Sequence, residues 1–201
     1  MNKFDIIGLT GPTGAGKSTV AAELSRQGCR VIDCDKAARE VTTSCKPCID
    51  ELCSAFGSGI LKPNGEIDRK KLAEKAFSTR RNSDLLNHIT HPWILKLVDD
   101  RIEEYRKTGA RFVVVDAPLL FESGADKICS VILAVTAPLS VRLDRIIKRD
   151  GISMELARSR IHAQNDDAFY TNRADYCIDG TQNLNKLAAE VESILSKINS
   201  K

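Results

Sequence analysis

"IIGLTGPTGAGKSTVAAEL", Ile6 to Leu24, decides the fold. An apolar run leads into a glycine-rich turn, and the turn into a segment of helical composition. Inside it Gly11-Pro-Thr-Gly-Ala-Gly16-Lys17-Ser18 fits the spacing G-x4-G-K-[ST]. Glycines let backbone amides turn inward around phosphate oxygens, where larger side chains would obstruct them. The helix that follows adds its N-terminal N–H groups and its dipole. Gly11, Gly14, Ala15, Gly16, Lys17, Ser18 and Thr19 are therefore the candidate nucleotide contacts. Lys17 is expected to reach the β- and γ-phosphates of a nucleoside triphosphate, and the Ser18 hydroxyl to ligate Mg²⁺.

Outward from this stretch, "GCRVIDCD" (Gly28–Asp35) reads as a turn and a second strand, so the chain opens as a βαβ unit of a parallel sheet. Helical patterns dominate from Lys36 to Thr108: Lys36–Thr42, Cys48–Phe56, Arg69–Phe77, Asp84–Thr90 and Trp93–Tyr105. Asp68 and Ser83 are the expected caps, and Pro92 the expected first turn of the Trp93 helix. So much sequence exceeds a plain crossover and reads as a helical insert. The sheet resumes at Arg111–Val115 and again at Ser130–Ala137. A charged helix (Leu139–Arg149), a second helix (Ser153 to about Gln164) and a short last strand (Ala174–Gly180) follow. Leu184, Leu187, Val191, Ile194, Leu195 and Ile198 then recur at helical spacing on a terminal helix.

With 28% charged and 42% apolar residues the chain has a globular composition, and its 201 residues suffice for one sizeable core. A formal charge of only +3 gives no reason to expect nucleic acid or a bilayer as partner. No run approaches the roughly 20 apolar residues of a membrane span, and "MNKFDIIGLTG" lacks the pattern of a signal peptide. The expected location is cytoplasmic, and the expected state a monomer or weak homo-oligomer. Seven cysteines, an odd number, argue against a disulfide framework. "CKPC" at Cys45–Cys48 has no fourth ligand at zinc spacing and does not open a helix after a core strand, so reduced thiols are the expectation.

A nucleotide loop serves motors, switches and kinases alike. A guanine switch needs an N-K-x-D base reader, and Asn185-Lys186 is followed by Leu-Ala instead. The chain is small for a motor. Phosphoryl transfer to a small molecule remains, and it needs an acceptor side. Asp33 ends the second strand, where a carboxylate is placed to take a proton from an attacking hydroxyl; capping the next helix is its bland alternative. Asp116 ends the third strand opposite the loop, placed to hold Mg²⁺.

"DCDKAAREV", "FGSGILKPNGEIDRKKL", "NHITHPWI", "DAPLLFESG", "RLDRIIKRDGIS", "RSRIHAQ" and "RADYCIDG" stand in this order from about Ile6 to Gly180. In sequence and spacing they resemble the dephospho-CoA kinase family. The resemblance implies ATP-dependent phosphorylation of the ribose 3′-hydroxyl of dephospho-CoA, with Mg²⁺, and Asp33 as the base. It also implies a P-loop NTPase fold, three-layer α/β/α, with a five-stranded parallel sheet, a helical substrate-binding insert and a small helical lid. The core would be 1–36, 109–140 and 174–201, the CoA-substrate domain 37–108, and the lid 141–173.

Phosphoryl transfer also wants cations around the moving group. Arg145 and Arg149, four apart on one helix face, are with Lys17 and Asp33 the catalytic candidates. Arg142 is assigned to the nucleotide and Arg160 to the acceptor; the bland alternative for these arginines is a solvated face paired with Asp144 and Asp150. His91, Pro118, Leu119, Leu120 and Glu122 are the remaining acceptor candidates, with Leu120 and Phe121 expected to form an apolar wall. A buried structural role is the alternative for His91. Three stretches depart from the usual family pattern: "GPTGAGKS" in the loop, the acidic and aromatic "NDDAFYTNR" where a basic residue is usual, and "IDGTQ" in place of I-D-N-x-G.

Overall fold

A computed structural model describes residues 4–200 of the chain. The elements run β1 (Asp5–Thr10), α1 (Lys17–Arg26), β2 (Arg30–Asp33), α2 (Cys34–Ser44), α3 (Lys46–Phe56), α4 (Arg69–Ala76), α5 (Arg80–Lys107), β3 (Phe112–Asp116), β4 (Val131–Thr136), α6 (Leu139–Asp150), α7 (Met154–His162), α8 (Asp167–Thr171), β5 (Tyr176–Asp179) and α9 (Leu184–Asn199). The five strands form one parallel sheet in the order β2-β3-β1-β4-β5, as the opening βαβ unit predicts. Connections leave β1 in one direction and later return to its other side. The carboxyl ends of β1 and β3 therefore flank the crevice where open α/β sheets bind ligands.

Strand alternation decides which residues meet the helices. Ile7 and Leu9 of β1 point to one face, with Val114, Leu133, Val135 and Ile178 from the neighbouring strands. There they meet Val20 and Leu24 of α1 and Leu187, Val191 and Ile194 of α9. Gly8 points to the other face, where an added Cβ would come within 2.8 Å of the Leu120 side chain.

The chain divides into two compact units. The first runs to Ile32 and resumes at Tyr105; the second is Asp33–Glu104. The second has its own core, built on Cys48, Leu52, Ile60, Leu72, Ala76 and Ile89 from its helices. Asp68 caps α4 as expected, accepting from the Lys70 and Lys71 amides at 3.1 and 3.3 Å.

Pro92 does not begin a helix. The segments expected at Asp84–Thr90 and Trp93–Tyr105 form one 28-residue helix, α5, with Pro92 inside it. Proline removes one backbone donor and crowds the carbonyl four residues earlier. Ile89 and Thr90 before it and Val98 and Ile102 after it are all buried, and burial on both sides holds the helix across the defect. Ser83 is consequently not a cap. Thr79 takes that role, its Oγ1 accepting from the Asn82 amide at 3.1 Å, while Ser83 Oγ donates to the Ala76 carbonyl at 3.0 Å.

"CKPC" is packing and helix start. Pro47 lies in the first turn of α3 and Cys48 is fully buried in the second unit's core. Burial pushes the Cys48 thiol up to about 12, and the Cys29 thiol, buried under the first unit's sheet, up to about 11. Both lie above the ordinary value of 9.0, so the fold favours the neutral thiol. That contribution is whole below pH ~9 and is lost as pH rises through the folded values. At pH 8 native protein treated with iodoacetamide should leave Cys29 and Cys48 unmodified and label the exposed Cys177, whereas denatured protein should be labelled at all three. Peptide mass mapping reads this out; rapid native labelling of Cys48 would contradict the burial.

No helix among the described residues is long and apolar enough to cross a membrane.

Candidate active site

The loop from Gly11 to Gly16 joins β1 to α1. Gly11 has φ 146°, and a Cβ there would lie 2.2 Å from the Val135 carbonyl oxygen, so no side chain fits. Gly16 is the N-cap of α1, with φ 107°, and Lys17 opens the helix. The Thr19 and Val20 amides turn back to the Gly16 carbonyl at 3.0 and 3.3 Å, so the Lys17 and Ser18 amides are the ones that precede the helix's own bonds and face what the loop encloses. Ser18 and Thr19 are exposed on this first turn.

Sheet register brings a carboxylate, Asp116, beside this loop. Leu9 of β1 pairs with Asp116 of β3, and the Ala117 amide donates to the Leu9 carbonyl at 3.0 Å. Asp116 forms an ion pair with Lys17, both side chains being largely buried (12% and 18% exposed). The residues expected to hold phosphate and metal thus lie side by side at the carboxyl end of the two central strands.

The four arginines divide into two pairs, and Arg145 and Arg149, expected on one helix face, fall in different ones. Arg145 turns inward: its Nη1 donates to the Gly14 and Ala15 carbonyls at 3.1 and 3.0 Å, and its Nη2 to the Gly180 carbonyl at 2.7 Å. It ties the phosphate loop to the turn after β5. Arg142, also inward, donates to the Thr13 carbonyl and pairs with Asp167. Arg149 and Arg160 face outward and share Asp150, at 2.7 and 2.6 Å, with exposures of 63% and 48%. Their guanidinium groups hold the Asp150 carboxyl below the usual range, Arg149 contributing most through its hydrogen bond. Such exposed pairs contribute little to stability and break readily when a better anion arrives.

α6 and α7 pack on each other through Leu143, Ile146, Ala157 and Ile161, a small cluster of their own. The segment after α7 instead grips the core at several points. Gln164 Oε1 accepts from the Thr13 amide at 2.8 Å, and Asn165 Nδ2 donates to Glu122 Oε1 at 2.8 Å. Phe169 meets Phe121 edge-on at 5.6 Å and Tyr170 at 5.3 Å, with the Arg173 guanidinium 4.2 Å above the Phe169 ring. Tyr170 is 1% exposed. Burial, and then Glu122, raise the pKa of its hydroxyl. The acidic and aromatic departure at "NDDAFYTNR" is thus the sequence of α8 docking, with Asp166 as its N-cap.

Leu120 is a core residue. It is fully buried against β1, so the wall expected from it cannot line a crevice. Leu119, 40% exposed, is the apolar side chain this turn presents to solvent. Pro118 is half-buried and Glu122 exposed.

In the second unit, Asp33 ends β2 and caps α2, its Oδ1 accepting from the Lys36 amide at 3.0 Å. Its other oxygen lies 3.5 Å from Lys36 Nζ, and the side chain is 35% exposed. The capping role is therefore real, and it leaves a carboxylate oxygen at the surface. His91 lies within α5, half-buried, and burial lowers its pKa, so it is neutral at pH 7.

Residues that sequence reasoning passed over include Thr13, Gln164, Asn165 and Asp167, which together bind the post-α7 segment to the core. Thr13 fills a variable position of the phosphate-loop motif and the other three are polar residues of the stretch after α7, so only the tertiary contacts single them out.

The profile of the dephospho-CoA kinase family matches residues 5–186. The chain is similar to the dephospho-CoA kinase of Moorella thermoacetica, 42% identical over 189 residues that cover 94% of this chain and 89% of that protein. It is also similar to that of Fusobacterium nucleatum, 41% identical over 193 residues, covering 96% and 98%. The solved dephospho-CoA kinase from Campylobacter jejuni matches the structure with a TM-score of 0.71 at 28% identity, covering 97% of each chain.

Proposed function

The chain belongs to the dephospho-CoA kinase family, and on that premise we propose that it transfers the γ-phosphoryl group of ATP to the ribose 3′-hydroxyl of dephospho-CoA, giving CoA and ADP in the last step of coenzyme A synthesis. The observation that carries the reading in this chain is the pairing of Leu9 with Asp116, which sets an acidic strand end beside a complete phosphate loop.

In this reading the amides of Gly14 to Ser18 and the dipole of α1 hold the ATP phosphates, and Lys17 leaves Asp116 for the β- and γ-phosphates. Ser18 and Asp116 supply hard oxygen donors. No group of three or more His, Cys, Asp or Glu suited to a metal occurs among the described residues. That fits magnesium, which binds through one or two protein oxygens together with substrate phosphates and water. Bound there, Mg²⁺ would offset charge on the β- and γ-phosphate oxygens. Asp33 takes the proton of the attacking hydroxyl. Arg149 and Arg160, held only by exposed pairing with Asp150, are the arginines able to turn to phosphate, whereas Arg145 acts through the loop carbonyls. His91, Pro118, Leu119 and Glu122 remain the acceptor-side contacts. The protein acts on these two small molecules in the cytoplasm, as a monomer or weak homo-oligomer, without nucleic acid or membrane.

Incubating purified protein with ATP, Mg²⁺ and dephospho-CoA should yield CoA and ADP in equal amounts, resolved by chromatography. ATP consumption with another nucleoside acceptor, and no CoA, would refute the assignment.

A further inference from the structure

Thr13 stands at the outer corner of the phosphate loop, and both of its peptide groups are held by side chains distant in sequence. Its N–H donates to Gln164 Oε1 at 2.8 Å, and its carbonyl accepts from Arg142 Nε at 3.0 Å. Arg142 is in turn fixed by Asp167, whose Oδ1 accepts from Nη1 at 2.8 Å. Arg142 is 4% exposed, and its Nη2 is buried without a hydrogen-bond partner. A guanidinium is costly to bury incompletely satisfied, so the two bonds it makes hold it where solvation alone would not.

A peptide unit is planar and trans, so its C=O and the following N–H point to opposite sides. Holding the Thr13 carbonyl from outside fixes the direction of the Gly14 N–H, one of the amides at the start of the cradle. Arg142 sits on α6, Gln164 and Asp167 on the segment beyond α7. The two ends of the α6–α7 hairpin therefore meet on a single loop residue.

We propose that Arg142 is a positioning residue for phosphoryl transfer: with Gln164 and Asp167 it clamps Thr13 through its two peptide groups and so sets the cradle geometry, without itself touching the nucleotide. Arginine suits the site because its rigid planar fork meets a carbonyl and a carboxylate from two separate nitrogens, Nε and Nη1, which the single nitrogen of an ammonium does not reproduce. The proposal rests on the reading of Gly11–Thr19 as the ATP phosphate site.

The test is a double-mutant cycle of Arg142→Met and Gln164→Ala, scored by steady-state CoA formation, by direct titration of MgADP and by thermal melting. Each single change should lower kcat by about 10- to 100-fold, since small misplacements of reacting groups cost that much. MgADP affinity should move by less than about three-fold. The double variant should be no more than about three-fold worse than the weaker single, because both side chains hold one residue, Thr13, through its two adjoining peptide groups. Arg142→Lys should recover little. Asp167→Asn, whose side chain is half exposed, should lower kcat in the same direction by about three- to ten-fold. Losses that multiply in the double variant overturn the clamp. So does an MgADP affinity that falls in step with activity, which would mean Arg142 touches the nucleotide, and so does full rescue by lysine. If Arg142→Met does not fold, unchanged kcat in both Gln164→Ala and Asp167→Asn overturns it equally. Wild-type protein that makes no CoA would refute the function instead, so the two failures are distinguishable.

Discussion

Asp33→Asn should lower the turnover of CoA formation by about 10²- to 10⁴-fold, the range set by loss of a general base, while MgATP still binds with near-native affinity. The substitution isolates chemistry from folding. Asp33 also caps α2 by accepting from the Lys36 amide, and asparagine caps a helix about as well. Lys36 is 78% exposed, so losing that ion pair costs about 0–1 kcal/mol at most. The melting temperature should therefore stay within a few degrees while turnover collapses. Calorimetric titration of ATP and a steady-state assay separate the two effects. Turnover within about five-fold of wild type would leave Asp33 as a cap and nothing more.

Gly180→Ala should do the reverse, damaging the nucleotide site through the backbone. Gly180 does not have the left-handed torsion that would flag it as an obligatory glycine, and the reason for it is space. A Cβ at this position would lie 1.8 Å from the Ala15 carbonyl oxygen, a backbone atom that cannot swing aside. Either the turn after β5 or the phosphate loop must shift, and Arg145 joins both through the Gly14, Ala15 and Gly180 carbonyls. Overpacking of this kind costs about 1–3 kcal/mol. Because the displaced atoms are those of the cradle, kcat/KM for ATP should fall by at least about 100-fold. Gly59→Ala is the control. It lies in the second unit with only Lys75 Nζ near, at 3.8 Å, and should leave the ATP kinetics unchanged. A Gly180→Ala enzyme with native ATP kinetics would show the loop free to move away from β5.

The nucleotide half of the site is legible in the sequence because it is local: Gly11 to Thr19 are contiguous, and Asp116 closes an unbroken β-branched run. What failed to read was whatever depends on residues meeting from afar. Pro92 carries a strong local signal to break a helix, and burial on both sides, at Ile89 and Thr90 and at Val98 and Ile102, overrides it. Leu120 sits in a motif that looks like a crevice wall, but the turn after β3 brings it back onto Gly8. α8 has five residues, too few for any periodicity to show, although Asp166 is a proper cap for it. The arginines share a helix and a charge. Whether one faces the loop carbonyls, as Arg145 does, or Asp150, as Arg149 does, follows from the α6–α7 packing. Two of the departures from the family pattern also acquire physical reasons: Tyr170 is core, and Gly180 is the residue that fits against Ala15.

Trp93 is the chain's single tryptophan, and it lies in the second unit, packed against the core of that unit with its indole N–H 3.3 Å from Glu51 Oε1. The molecule therefore carries one indole fluorophore, placed in Asp33–Glu104, while its three tyrosines, Tyr105, Tyr170 and Tyr176, all lie in the unit that holds the phosphate loop. Emission excited at the red edge of indole absorption reports one unit alone, while backbone dichroism sums over both. Comparing the two signals along one denaturation series separates the cohesion of the units from the stability of either, with no label attached.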